Sequence, residues 1–271
     1  MIDVRDTRPD VSRTTRLALR AADSDTTLDA AGAPGVDPAS RTTRCPSRSE
    51  PPVYAWPAGR TGLRRNVVAL VEVELPEPRR MRGRWAAFAA VCAARGWGDT
   101  CHADGPVWHY DDGGGNWADL HLIGERAVLL GHDHEYSETY YATSAQYFEE
   151  PETDLLAGAP DWWAGPVRPT LAQGSWVGFV YGFEDGAWRR AAYDLDDGFD
   201  SLNLPAADDL RCRELIVEFT RDAPDGVADP AAVAALVAAD ADVTEEQVAA
   251  VVGRSWDVAA GTAAARGFLA R

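Results

Sequence analysis

The fold is decided by residues 107–133, which read VWHYDDGGGNWADLHLIGERAVLLGHD. Three runs, 107–112, 117–123 and 126–133, alternate apolar and polar side chains, and glycine-containing turns separate them. This pattern predicts an antiparallel β-meander. If Gly124-Glu125 is a two-residue turn, the register pairs Ile123 with Arg126, His121 with Val128, and Trp117 with His132.

The flanking sequence adds strands and helices to this meander. Alternation over 66–75 predicts a buried strand, and apolar residues at intervals of four, three and four from Met81 to Cys92 predict the helix that follows. A second hairpin is predicted over 175–184 and 188–195, a helix over 137–150 and a strand over 212–220. The alanine-rich C-terminal part, from about residue 228, is predicted to be helical, with a capping box at Thr244 and Gln247.

Together these elements predict an α+β fold with a single mainly antiparallel sheet of about seven strands and helices packed on it. Residues 63–271 form the predicted globular domain. Residues 1–62 are rich in Arg, Thr and Asp and have no aromatic residue before Tyr54. We expect a disordered arm there, or an extension upstream of the true translation start.

The net charge of the chain limits which classes of molecule it is expected to bind. All 26 basic residues are arginine, and 43 acidic residues leave a net charge of −17. Residues 1–65 hold 11 arginines against 8 acids, whereas residues 66–271 hold 15 against 35, a net −20. Such a field argues against nucleic acid and anionic membranes, and it favours basic proteins or divalent cations.

Compartment is inferred from the cysteines and from the apolar runs. The four cysteines form no C-x-x-C pair, and no apolar run approaches the roughly 20 residues of a membrane span. We therefore expect a soluble cytoplasmic protein with reduced thiols.

All five histidines fall between residues 102 and 134, among aspartates and glutamates. With the predicted register, one sheet face carries a candidate metal site: His121, His132, His134 and Asp119. Imidazole and carboxylate are ligands of zinc, iron, nickel and manganese, and Asp133 or Glu135 would orient a ligand or act as a general base. Apolar residues on the same face and the absence of an H-E-x-x-H motif favour the alternative, histidines paired with neighbouring carboxylates.

Ten tryptophans are the other unusual feature of the composition. Several lie beside acidic residues, an arrangement typical of an interface with a basic partner. The candidate interface residues are Trp162, Trp163, Trp117 and Trp108, the first two in a loop between Pro160 and Pro166. The alternative is that these rings fill the core between sheet and helices.

These observations predict an interaction module without a cofactor, rather than an enzyme. Its expected partner is a basic protein, as for small acidic immunity or inhibitor proteins. One alternative is a metal-dependent enzyme that holds one divalent transition metal in the His/Asp cluster of residues 119–135. Another is a domain that senses a small ligand in an aromatic pocket.

Overall fold

A computed structural model describes residues 69–225 and 228–269 of the chain. The predicted arm, residues 1–62, lies outside the described residues, as does the start of the predicted globular domain. The strands in the described part are β1 Val71–Val73, β2 Cys101–Asp104, β3 Val107–Asp111, β4 Trp117–Ile123, β5 Arg126–His132, β6 Phe179–Glu184 and β7 Ala187–Arg190. The α-helices there are α1 Pro78–Ala94, α2 Thr143–Phe148, α3 Ala164–Ala172, α4 Phe199–Leu202, α5 Asp209–Phe219, α6 Pro230–Ala238, α7 Glu245–Val252 and α8 Val258–Gly267, and a 3₁₀-helix spans Asp161–Trp163.

The seven strands form one antiparallel sheet in the order β1-β7-β6-β5-β4-β3-β2. The predicted α+β class, with a single antiparallel sheet and helices packed on it, is confirmed. The turn at Gly124-Glu125 sets the predicted register, and all three predicted pairs between β4 and β5 are present. Gly124 has a φ of +65°, a left-handed conformation that glycine adopts without steric cost. Local turn chemistry therefore fixes which side chains share a face.

The inner face of the sheet is covered by helices. The predicted apolar stripe of α1 is at most 1% exposed at Met81, Trp85 and Phe88, and it packs with the inner side chains of β3 to β6 in the main core. Helix α8 crosses α1 closely at Gly261, where a β-carbon would overlap the carbonyl oxygen of Ala90. The small residues of α1 thus allow a second helical layer, and the predicted C-terminal helices are confirmed, including the Thr244 capping box.

The predicted strand over 212–220 is wrong, because this segment is helix α5. Cys212, Leu215 and Ile216 are its buried residues, a spacing of three and four that also fits a helix. Asp208 accepts a hydrogen bond from the backbone N–H of Arg211 and caps the start of the helix. The seventh strand is instead β2, which the sequence pattern did not reveal.

Two further elements differ from prediction. The strand predicted over 66–75 is reduced to β1 in the described residues, and Val71 is 41% exposed, since β1 is an edge strand paired only with the short β7. The helix predicted over 137–150 is confined to α2. Helix α3, by contrast, forms despite Pro166 and Pro169. Pro166 lies in the first turn, where a proline removes no helical hydrogen bond, whereas Pro169 lies inside the helix and has no backbone N–H to donate.

Candidate functional site

The outer face of the sheet, opposite α1, carries the polar side chains that the sequence singled out. Alternation along β4 directs Asp119 and His121 to this face, while the intervening Leu120 is buried in the main core. His132 lies at the end of β5, opposite Trp117. The register therefore brings three of the four predicted metal ligands to one face of two neighbouring strands.

His134 is the fourth predicted ligand, and it lies beyond the end of β5. It is exposed, and its backbone N–H donates to the side-chain oxygen of Asn116 at 2.7 Å. Across residues 69–225 and 228–269, no group of three or more His, Cys, Asp or Glu side chains is arranged to hold a metal ion. The predicted metal site thus stays a prediction.

Asp119 is instead paired with a histidine that was not among the predicted site residues. Its Oδ1 lies 2.6 Å from Nδ1 of His109 on β3, and both side chains are about one quarter exposed, at 21% and 27%. The pair follows from the register, because Asp111 faces Trp117 across the glycine turn and His109 then faces Asp119. Counting residues back from that turn would have found it.

Opposing effects act on the pKa of His109. Burial lowers the pKa. The hydrogen bond to Asp119 and the negative charges of Asp119 and Asp111 raise it by more, so the pKa of His109 lies above its ordinary value. A second imidazole, His102, lies beside it with a ring-centroid separation of 5.0 Å. The outer face therefore holds one imidazole that is readily protonated.

His121 and His132 behave in the opposite way. Burial lowers the pKa of His121, with partial opposition from the Asp119 carboxylate. Burial, together with the charge of His134, lowers the pKa of His132 to about 4. Nε2 of His121 and Nδ1 of His132 are both buried with no hydrogen-bond partner. Both rings are neutral at pH 7, and each has an unpaired polar atom that folding alone does not explain.

His102, His109, Asp119 and His121 line an open cleft of about 870 Å³. Its floor is the outer face of β3 and β4, with Trp117 and His109, and its wall is helix α3, with Pro166, Pro169 and Thr170. The cleft is lined by three aspartates and three histidines, and no arginine lines it within the described residues. Helix α3, which was not predicted from the sequence, converts a flat sheet surface into a concave one.

The tryptophans predicted for an interface divide into two groups. Trp108 and Trp163 are only 2% exposed, which argues against the interface role predicted for them. Trp108 packs against Trp85 in the main core. Trp163 lies over β6 at Gly182, and because glycine has no side chain there is room for the indole ring. Trp117 and Trp162 are half-buried, and the guanidinium of Arg126 stacks over Trp162 at 4.7 Å.

The most exposed aromatic cluster lies elsewhere, on and around α2. The aromatic patch consists of four residues in mutual contact: Tyr140, Tyr147, Phe148 and Trp176. Tyr147 is 71% exposed and Phe148 43% exposed. The sequence indicated an aromatic side for this segment, but not that this side faces solvent.

The patch lies in an unusually acidic stretch of the chain. Residues 127–167 contain eight aspartates and glutamates and no arginine. Glu149, Glu150 and Glu152 follow Phe148 directly and are exposed. The patch and the cleft adjoin at the turn after α3, because Ser175 lines the cleft and the next residue, Trp176, belongs to the patch. The ring of Trp176 also packs against that of His132, with a ring-centroid separation of 6.1 Å.

Comparison with known proteins identifies no relative. No protein-family model matches the chain, and no curated protein and no solved structure is significantly similar to it. None of the helices in the described ranges is both long and apolar enough to cross a membrane.

Proposed function

We propose that this protein is a binding module that recognises a basic protein through the aromatic patch. The observation that carries the proposal is the exposure of Tyr147 and Phe148, at 71% and 43%, within a stretch of 41 residues that holds eight acids and no arginine. Large aromatic rings supply most of the binding energy at protein interfaces, and a charged rim selects the partner. The metal-dependent enzyme stays a separate prediction, which no geometry among the described residues favours.

Backbone hydrogen bonds anchor the segment that carries the patch. The backbone N–H of Thr153 donates to the carbonyl of Tyr140 at 2.7 Å, and that of Ala142 donates to the Glu152 carboxylate at 3.2 Å. Ala142 and Glu149, at the two ends of α2, have φ values of +53° and +58°, which are costly for residues other than glycine. Backbone hydrogen bonds that already order a surface reduce the entropy lost on binding, which favours a recognition role.

Charge supports the same assignment. A net −20 over residues 66–271 attracts a basic protein from a distance and accelerates its encounter with the patch. Salt screens this attraction, with a Debye length of about 10 Å at 0.1 M salt. Association with the partner is therefore expected to slow as salt is raised, while the aromatic contacts mainly govern dissociation.

The test uses the full chain with the two exposed rings replaced. Immobilised wild-type protein is used to retain partners from an extract of the source cells, and the retained protein is then purified and its affinity measured at about 50 and about 300 mM salt. We expect a basic partner, weaker binding at the higher salt, and a loss of at least about 2 kcal/mol in Tyr147→Ser/Phe148→Ser.

A matched control separates this patch from exposed apolar area in general. Leu210, in α5, is 67% exposed and also follows two acidic residues, Asp208 and Asp209. Leu210→Ser should leave the affinity unchanged, and both variants should melt like wild type. The proposal fails if no basic protein is retained, if binding ignores salt, or if the patch variant and Leu210→Ser bind equally well.

A further inference from the structure

The cleft beside α3 has a charge and a shape that the proposed function does not explain. Asp104, Asp111 and Asp119 line it, and only Asp119 is paired with a histidine, through His109. Asp111 accepts one backbone hydrogen bond, from Gly113, and forms no salt bridge with another described residue. Since no arginine lines the cleft in the described part of the chain, its field attracts cations and repels phosphate or carboxylate ligands.

The apolar part of the cleft would accommodate an alkyl chain that ends in a flat cation. Trp117 presents an indole ring in the floor, and Val107, Ile123 and Pro166 line the rest of the apolar surface. An indole face attracts a cation within about 6 Å of its centre, and planar guanidinium groups stack on it especially well.

His121 adds a polar atom that lacks a partner. Its Nε2 is buried and makes no hydrogen bond, although the ring lines the cleft. An unprotonated imidazole nitrogen can accept a hydrogen bond from an N–H group. Carboxylates, an indole ring and an imidazole ring thus line one space.

We infer that the cleft binds an alkylguanidinium group, with an alkylammonium group as a weaker substitute. The group belongs either to a free small molecule or to an arginine side chain of a protein. The second source rests on the proposed function and agrees with the position of the cleft, which adjoins the aromatic patch at Ser175 and Trp176. The first source does not depend on the proposed function.

The test titrates the full chain with N-acetyl-arginine amide and follows the imidazole proton resonances of His109 and His121. N-acetyl-citrulline amide is the matched probe, because it replaces the guanidinium by a neutral urea of the same shape. We expect saturable shifts with the arginine probe, weaker ones with N-acetyl-lysine amide, and at least about tenfold weaker binding of the citrulline probe.

Variants localise the binding. Asp104→Asn/Asp111→Asn should weaken the arginine probe about tenfold, and Trp117→Leu about fivefold. Asp242→Asn removes the same type of charge from an exposed site between α6 and α7 and should change the affinity by less than about twofold. The inference is overturned if the citrulline probe binds as well as the arginine probe, if neither cationic probe gives a saturable shift, or if Asp242→Asn weakens binding as much as the cleft variants.

A peptide with one arginine between neutral residues distinguishes the two sources. If the peptide binds more than about tenfold tighter than the amide, and Tyr147→Ser/Phe148→Ser removes that gain, the natural group is an arginine of a protein partner. If the amide binds as tightly as the peptide and the patch variant has no effect, the natural ligand is a free small molecule. A patch variant that loses its partner while the cleft still binds the amide shows that the two sites are separate, so either proposal can fail without the other.

Discussion

The two faces of the sheet are built on different principles. The inner face is a continuous apolar surface in which Leu120 and Leu129 are fully buried beneath α1 and its neighbouring helices. The outer face is covered only in part, around Val128, Leu130 and Trp163, and it leaves imidazoles at the edge of an open cleft. An unpaired buried polar atom costs about 1–3 kcal/mol. Such an atom occurs on the inner face at Trp108, whereas the outer face has them at His121, His132 and Trp163, so more of this cost falls on the outer face. The candidate functional cleft therefore lies on the outer face, where helices leave polar side chains uncovered.

The largest effect that tests this contrast comes from two adjacent residues of β4. Leu120→Ala removes a fully buried side chain from the inner face and should lower the free energy of unfolding by about 3 kcal/mol. His121→Ala removes a half-buried ring with an unpaired Nε2, so it should change stability by less than about 1 kcal/mol or increase it. Urea unfolding followed by tryptophan fluorescence measures both, and equal losses would contradict the difference between the faces.

Acid should destabilise the outer face through His132. Its pKa is lowered to about 4, whereas an unfolded histidine has a pKa of about 6.5. The unfolded chain therefore binds more protons between these values, and this contribution to stability is complete above about pH 6.5 and is lost as pH falls towards 4. Allowing for the partial exposure of the ring, we expect a loss on the order of 2 kcal/mol.

The control for the acid effect is His132→Gln. This variant lacks the titrating group, so its stability should decline less than that of wild type between about pH 6.5 and 4. Urea unfolding at a series of pH values provides the comparison, and parallel curves for the two proteins would rule out His132 as the source.

A smaller pH effect, in which stability falls as pH rises, is expected from the His109–Asp119 pair. Asp119→Asn removes the charge that outweighs burial, so the pKa of His109 should fall, which proton NMR of the ring measures directly. The stabilisation by this pair, about 1 kcal/mol, is present below the unfolded pKa of about 6.5 and is lost as pH rises through the raised pKa of His109. An unchanged pKa in the variant would show that Asp119 does not hold this proton.

The smallest expected effect concerns metal. Asp119 is already bonded to His109, and His134 lies beyond the end of β5. A bound structural metal would stabilise the fold by mass action, and its removal would lower the melting temperature. Because the four predicted ligands are not brought together, we expect a chelator to shift the melting temperature by less than about 1 °C. About one equivalent of zinc, iron, nickel or manganese in the purified full chain, lost together with stability on chelation, would restore the predicted site and the enzyme hypothesis.

The errors made from the sequence follow a physical pattern. The residues from Cys212 to Phe219 fit both a strand alternation and a helical spacing, and only packing against α1 selects the helix. Three strand predictions, over 66–75, 175–184 and 188–195, and one helix prediction, over 137–150, extended beyond the elements that form. The length of an element depends on its contacts with other segments and not on local composition alone. Burial of tryptophan was equally unpredictable, since Trp162 and Trp163 are neighbours and only Trp163 is buried, where it packs against β6 on the outer face.

Local sequence patterns predicted the antiparallel meander, its register and the helical C-terminal part, and the same strand register pairs His109 with Asp119. Turn glycines, capping residues and alternation act over a few residues, so they need no distant partner to be effective. Only the packing of distant segments makes α3 enclose a cleft and leaves Tyr147 and Phe148 in solvent. These features depend on which surfaces distant segments cover, and a local pattern contains no information about such contacts.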